Sequence, residues 1–268
     1  WFSDADHAVV RNIVRAITAA SALEHLKLSF SVFQWRLIAQ VFKELVHSPS
    51  IRILHCEQKL LEQPTPEVIA NFSNVLRNLT SLTEVSMDLN EWSDSEILLD
   101  AVFSRMLKVT LNSVEGEVRS TAVARSLSQG TVEELTLGFC NIGNLGSFVG
   151  AIDEMHESGC KRIEIEIRVD HDPIDPNRNP YRDPEPILQV TADLLRKMPQ
   201  LRGLEVTTYH DEFLQVDSIP QQLRDALEGH SALTNLRFEQ KLMINEQCEA
   251  MSFITSCLTR NELELAFR

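Results

Sequence analysis

Cysteine, long apolar runs and positive charge are all scarce in this 268-residue chain. The five cysteines, at positions 56, 140, 160, 248 and 257, include no C-x-x-C pair. That spacing argues against a disulfide framework and against a zinc site, leaving buried free thiols in a reducing compartment, cytoplasm or nucleus, as the expectation. No apolar stretch approaches the roughly 20 residues that a membrane-spanning helix needs. The opening "WFSDADHAVV" is not a signal peptide, and because it starts at Trp1 the chain reads as an excerpt of a longer one. Lys and Arg number 25 against 39 Asp and Glu, for a net charge of −14. Such a field repels nucleic acid overall and points to a basic protein partner, or simply to solubility.

What the chain does have is a repeat. "SALEHLKL", "TSLTEVSM", "GTVEELTL", "PQLRGLEV" and "SALTNLRF" all carry apolar-x-x-apolar-x-apolar, and weaker copies occur at "IRILHC", "MLKVTL", "CKRIEI" and "RNELEL". Taking the middle apolar residue of each as an anchor gives Leu26, Leu54, Val85, Val109, Leu135, Ile163, Leu204, Leu236 and Leu263. The eight intervals run from 24 to 41 residues, the period of strand–helix arrays. Helical spacing lies between the copies. Ile69, Phe72, Leu76 and Leu79 share one face, as do Leu37, Ile38, Val41, Phe42 and Leu45. Thr65 before Pro66 and the pair Ser218 with Gln221 read as helix starts. A further helix is predicted near residues 5 to 20.

This unit resembles the leucine-rich repeat of the longer intracellular type found in ribonuclease inhibitor and in F-box proteins. Val132 to Ile142 matches the full pattern with Cys140 in its Asn/Cys slot, and Leu82 to Trp92 matches with Asn90 there. The resemblance implies an α/β solenoid, a horseshoe of about nine strand–helix units, with a parallel sheet on the concave side and helices on the convex side. Residues 1–268 would form one monomeric domain, with an N-terminal capping helix within 1–22. Its implied role is non-catalytic protein binding, as substrate receptor or scaffold. Ubiquitin-ligase components would be partners if an F-box lay upstream; residues 1–20 carry no such signature.

Stacked strands lie about 4.8 Å apart and helices about 9 to 10 Å apart, so such an array bends with its strands inside. Residues flanking each anchor then face outward from the sheet. Acids dominate these positions: Glu57, Glu84, Asp88, Glu134, Glu164, Glu166, Glu205, Glu239, Glu262 and Glu264, against Lys27, Lys108, Arg162 and Arg237. Exposed strand positions are polar in any soluble sheet, and solubility is the plain reading. The functional reading is an electrostatic cradle for a basic protein segment, with Arg237 among its contacts.

The long interval holds "VDHDPIDPNRNPYRDPEP", residues 169–186, whose prolines exclude regular helix and sheet and predict an insertion loop. Tyr181 and Arg182 are its candidate contact residues. Its aspartates fit no calcium-ligand spacing, and no metal or cofactor is expected. His25 and His55 are expected on adjacent strands at matching positions, yet nothing is spaced to complete a nucleophilic set. The rival reading is a nucleotide-dependent enzyme built on a Rossmann-like unit at 132–170, with "GFCNIGNLG" as its loop and Asp170 as a ribose-binding acid. Against it, "IEIEIRVD" alternates with charge where a strand buried on both faces should be continuously apolar. Cys140 also stands where backbone must approach pyrophosphate.

Overall fold

The apolar-x-apolar core of each of the first eight motifs forms a β-strand in the computed structural model. The structure describes residues 4–20, 22–30, 41–43, 45–48, 50–58, 64–88, 95–139, 141–152, 159–168, 185–209, 214–216, 220–239 and 242–244. The chain divides into two compact units, residues 1–112 with 129–132, and residues 113–128 with 133–268.

In the first unit, helix α1 (Asp4–Ala19) precedes strands β1 (His25–Phe30) and β2 (Ile53–Gln58). Helix α2 (Pro66–Asn78), strand β3 (Glu84–Asp88), helix α3 (Ser95–Phe103) and strand β4 (Lys108–Val114) follow, the last running on across the division. The strands are parallel in the order β1-β2-β3-β4. The second unit holds α4 (Glu117–Gln129), β5 (Glu134–Phe139), α5 (Ile142–Ala151), β6 (Arg162–Arg168), α6 (Glu185–Lys197), β7 (Gly203–Tyr209), β8 (Leu214–Val216), α7 (Gln221–Gly229), β9 (Asn235–Glu239) and β10 (Leu242–Ile244). Its main strands are parallel in the order β5-β6-β7-β9, and β8 pairs in parallel with β10.

Register follows the anchors. Leu26 pairs with Leu54, Leu54 with Val85 and Val85 with Val109; in the second unit Leu135 pairs with Ile163, Ile163 with Leu204 and Leu204 with Leu236. A slip of one residue would turn every apolar side chain out of the core, which is why the pattern selects this pairing. From Leu54 to Leu236 these anchors are buried. The ninth anchor, Leu263, lies outside the described residues.

The joint between repeats is itself repeated. At six joints the carbonyl two residues before the anchor accepts two successive N–H groups from the next repeat. Glu24 accepts from Arg52 and Ile53, Arg52 from Thr83 and Glu84, and Thr83 from Leu107 and Lys108. In the second unit Glu133 accepts from Lys161 and Arg162, Lys161 from Arg202 and Gly203, and Arg202 from Thr234 and Asn235. Strands β2, β3, β4, β6, β7 and β9 therefore enter the sheet with their first donors already satisfied.

Helix α2 illustrates the local logic. Pro66 supplies a pre-set φ at the first helical position behind Thr65. Val68, Ile69, Phe72, Val75 and Leu76 then form one buried stripe, and Phe72 stacks on Phe42 with ring centroids 4.3 Å apart. Its C-terminal end is capped from the next repeat, where the Arg105 guanidinium donates to the carbonyl of Arg77 in the last turn and to that of Thr80 just beyond the helix. The second unit uses the same device: Lys197 Nζ donates to the carbonyls of Ile152 at 2.7 Å and Gly150 at 3.0 Å, closing the end of α5. These cations meet the negative end of the helix dipole.

Two boundaries differ from the sequence reading. Helix α7 starts at Gln221 behind Pro220, not behind Ser218, because the fixed φ of Pro220 (−55°) leads directly into the first turn. Helix α6 starts at Glu185, so Glu185 and Pro186 belong to it and not to the 169–186 insertion; a proline in the first turn forfeits no intrahelical bond. Among the described residues no helix is long and apolar enough to cross a membrane.

Candidate functional site

On β5, β6, β7 and β9, the residues flanking the anchors form a grid fixed by the register. One row is Glu134, Arg162, Gly203 and Asn235; the next is Thr136, Glu164, Glu205 and Arg237; the third is Gly138, Glu166, Thr207 and Glu239. Along β6 the side chains alternate between buried Ile163, Ile165 and Ile167 and the more accessible Arg162, Glu164 and Glu166. Read along this strand the accessible charges run positive, negative, negative, with about 6.6 Å between successive members.

Glu205 is the exception among the described acids of this grid, since only 8% of its side chain is exposed. Two cations reach it from the strands on either side: Arg237 from β9 at 3.3 Å and Arg162 from β6 at 3.5 Å. Arg162 gets there over Gly203. A Cβ built on Gly203 would lie 3.3 Å from Cγ of Arg162, so the missing side chain is what lets the arginine stem cross diagonally. The Arg237 side chain is 28% exposed and that of Arg162 54%. Carboxylate and guanidinium thus form a three-strand clasp with one cation more than anion. Glu164, level with Glu205, accepts from the Thr136 hydroxyl at 3.4 Å. Sequence reasoning counted Arg162 among the bases but missed Gly203 and Thr136; a glycine in an outward slot beside an arginine was the available signal.

In the first unit the corresponding positions are more evenly matched. Glu84 lies level with Lys108, and their charged groups are 3.9 Å apart. Asp88 is level with Asn112, and Glu57 with Ser29. His55 is level with Lys27, while His25 is level with Ile53, so the two histidines do not occupy matching positions: one precedes its anchor and the other follows it. Tyr181 and Arg182 lie outside the described residues, as do the side chains of Glu57 and Glu239.

The segment read alternatively as a nucleotide unit folds as β5, α5 and β6. At the N-terminus of α5, Asn141 Oδ1 accepts the Asn144 backbone N–H at 2.9 Å, using a donor that a phosphate would otherwise meet. Gly143 serves this cap, since a Cβ there would come within 3.2 Å of Asn141 Oδ1. The Asn144 side-chain oxygen in turn accepts the N–H of Gly116, which sits at φ +82°. Cys140 and Asp170 lie outside the described residues. Cys56 and Cys160 are buried free thiols; burial pushes Cys56 far up, and pushes Cys160 up to about 12.

No family model matches the chain. No curated protein matches it either.

Proposed function

We propose that this chain is a leucine-rich-repeat-type solenoid, a horseshoe of about nine units, that acts as a non-catalytic protein-interaction module. Its working surface is the accessible face of β5, β6, β7 and β9, and its partner is an extended protein segment with basic side chains at alternate positions. The observation that carries the reading is the ordered charge on β6: Arg162, Glu164 and Glu166 project from one face of one strand while the isoleucines between them fill the core. A segment reading acid-x-base-x-base complements that order. Charge matching of this kind sets selectivity and encounter rate more than raw affinity.

Because Glu205 is enclosed by two arginines, reversing its charge would place three cations together; Glu164 and Glu166 are the residues to reverse. The test is fluorescence anisotropy with a labelled Glu-Ala-Lys-Ala-Lys peptide and its charge-swapped counterpart, Lys-Ala-Glu-Ala-Glu. The wild type is expected to prefer the first by tenfold or more, about 1.4 kcal/mol, and to lose the preference in high salt. The double variant Glu164→Lys/Glu166→Lys should reverse it. Equal affinity of the wild type for both peptides refutes the proposal.

A further inference from the structure

In several repeats the N–H of the first motif residue bonds to the backbone carbonyl three residues earlier: Leu23 to Ala20, Ile51 to Ser48, Leu82 to Leu79, and Leu201 to Met198. The repeat built from α7 and β9 differs. Its equivalent residue, Leu233, donates instead to Nδ1 of His230, at 3.2 Å. The other ring nitrogen, Nε2, lies 3.0 Å from the carbonyl of Met198, which also accepts from Leu201 in the preceding repeat. A backbone N–H can only donate and a carbonyl can only accept, so the ring is the neutral tautomer with its proton on Nε2. His230, a residue only 6% exposed, ties two successive repeats together through its ring. It puts a titratable acceptor where four other repeats use a backbone carbonyl, which cannot titrate.

We propose that His230 is an acid-sensitive latch that holds the α7–β9 repeat against the repeat before it. A second proton would have to enter at Nδ1, where it would confront the Leu233 N–H and break that bond. Among the described residues, no acidic side chain hydrogen-bonds to the ring to compensate an imidazolium. On α6, Lys197 is committed to the carbonyls of Gly150 and Ile152, and Arg196 to Asp193 and the carbonyl of Gln222. On α7, Asp225 accepts from Gln221 and Glu228 is exposed, as is Arg202 before β7; on β9, Arg237 reaches toward Glu205. Desolvation lowers the His230 pKa below its ordinary value, against the opposing pull of backbone hydrogen bonds. The neutral ring is therefore the folded form, and protons collect on the opened form. The repeat released would be the one that brings Arg237 to Glu205.

Hydrogen exchange of the wild-type protein at pH 7.5 and 5.5, corrected for intrinsic rates, tests the latch. An opened state whose imidazole titrates near 6.5 gains up to about tenfold in population over that interval relative to a closed state that stays neutral. Protection of α7, Leu233 and β9 amides should fall by that factor while β5 and β6 amides keep theirs. In His230→Gln, whose side chain retains an acceptor and a donor but cannot titrate, the pH dependence should vanish. Unchanged protection in the wild type overturns the proposal. So does an equal loss in β5 and β6, or a pH dependence that survives in the variant. Should the variant fail to fold, the wild-type comparison decides alone.

Discussion

Replacing Arg237 by methionine takes one of two cations from a carboxylate whose side chain is 92% out of solvent, the complement of the 8% that remains exposed. At 3.3 Å and an effective dielectric of about 20, the direct attraction is about 5 kcal/mol, most of it offset by the cost of desolvating both ions. Stranding a buried charge outright costs about 3 to 5 kcal/mol. Arg162 still reaches Glu205 in this variant, so Arg237→Met alone should cost only about 1 to 2 kcal/mol. Arg162 is the more exposed of the two cations, and solvent screens it; Arg162→Met should cost under about 1 kcal/mol. The double variant leaves Glu205 without either cation, and its cost should exceed the sum of the singles by at least about 1 kcal/mol. Urea unfolding followed by far-ultraviolet circular dichroism measures all three, and Glu205→Leu added to the double variant should recover much of the loss. Costs that add to within about 0.3 kcal/mol would refute the clasp, because independent sites behave that way.

Two further expectations concern the core. Phe72, fully buried and stacked on Phe42, should cost about 3 to 5 kcal/mol when replaced by alanine, read as a lowered urea midpoint for the first unit. Cys56 and Cys160, whose thiols burial keeps protonated, should resist iodoacetamide at pH 8 in the native protein and react after denaturation; rapid native labelling of either would contradict their placement.

The strand motif was legible because an apolar anchor has one place to go in a stack of parallel strands, and a shift by one residue would expose it. That is why Leu26, Leu54, Val85 and Val109 fall level with one another, and why the face of α2 could be named from Ile69, Phe72 and Leu76. Outward positions carry no such constraint. Glu164 and Glu205 look alike in the sequence, yet one is accessible and the other enclosed, because enclosure depends on what β6 and β9 place beside it and on an absent side chain at Gly203. The offset of His25 from His55, by contrast, was legible once the anchors were named, since His25 precedes Leu26 and His55 follows Leu54. Caps from neighbouring repeats, such as Lys197 on the end of α5, lie 45 and 47 residues from their acceptors and leave no mark in local spacing.

The shared-carbonyl joint spans very unequal lengths of chain. The same two bonds link Thr83 to Leu107 and Lys108 across 24 residues to the first donor, and Lys161 to Arg202 and Gly203 across 41. Nothing in the joint registers what lies between its donors and its acceptor. A lineage carrying this architecture can therefore lengthen a connection, as at 169–184, or duplicate and delete whole units, without redesigning the sheet. Outward residues and loop lengths can then change while the seams between units stay untouched, and a protein engineer could exchange units at the same seams.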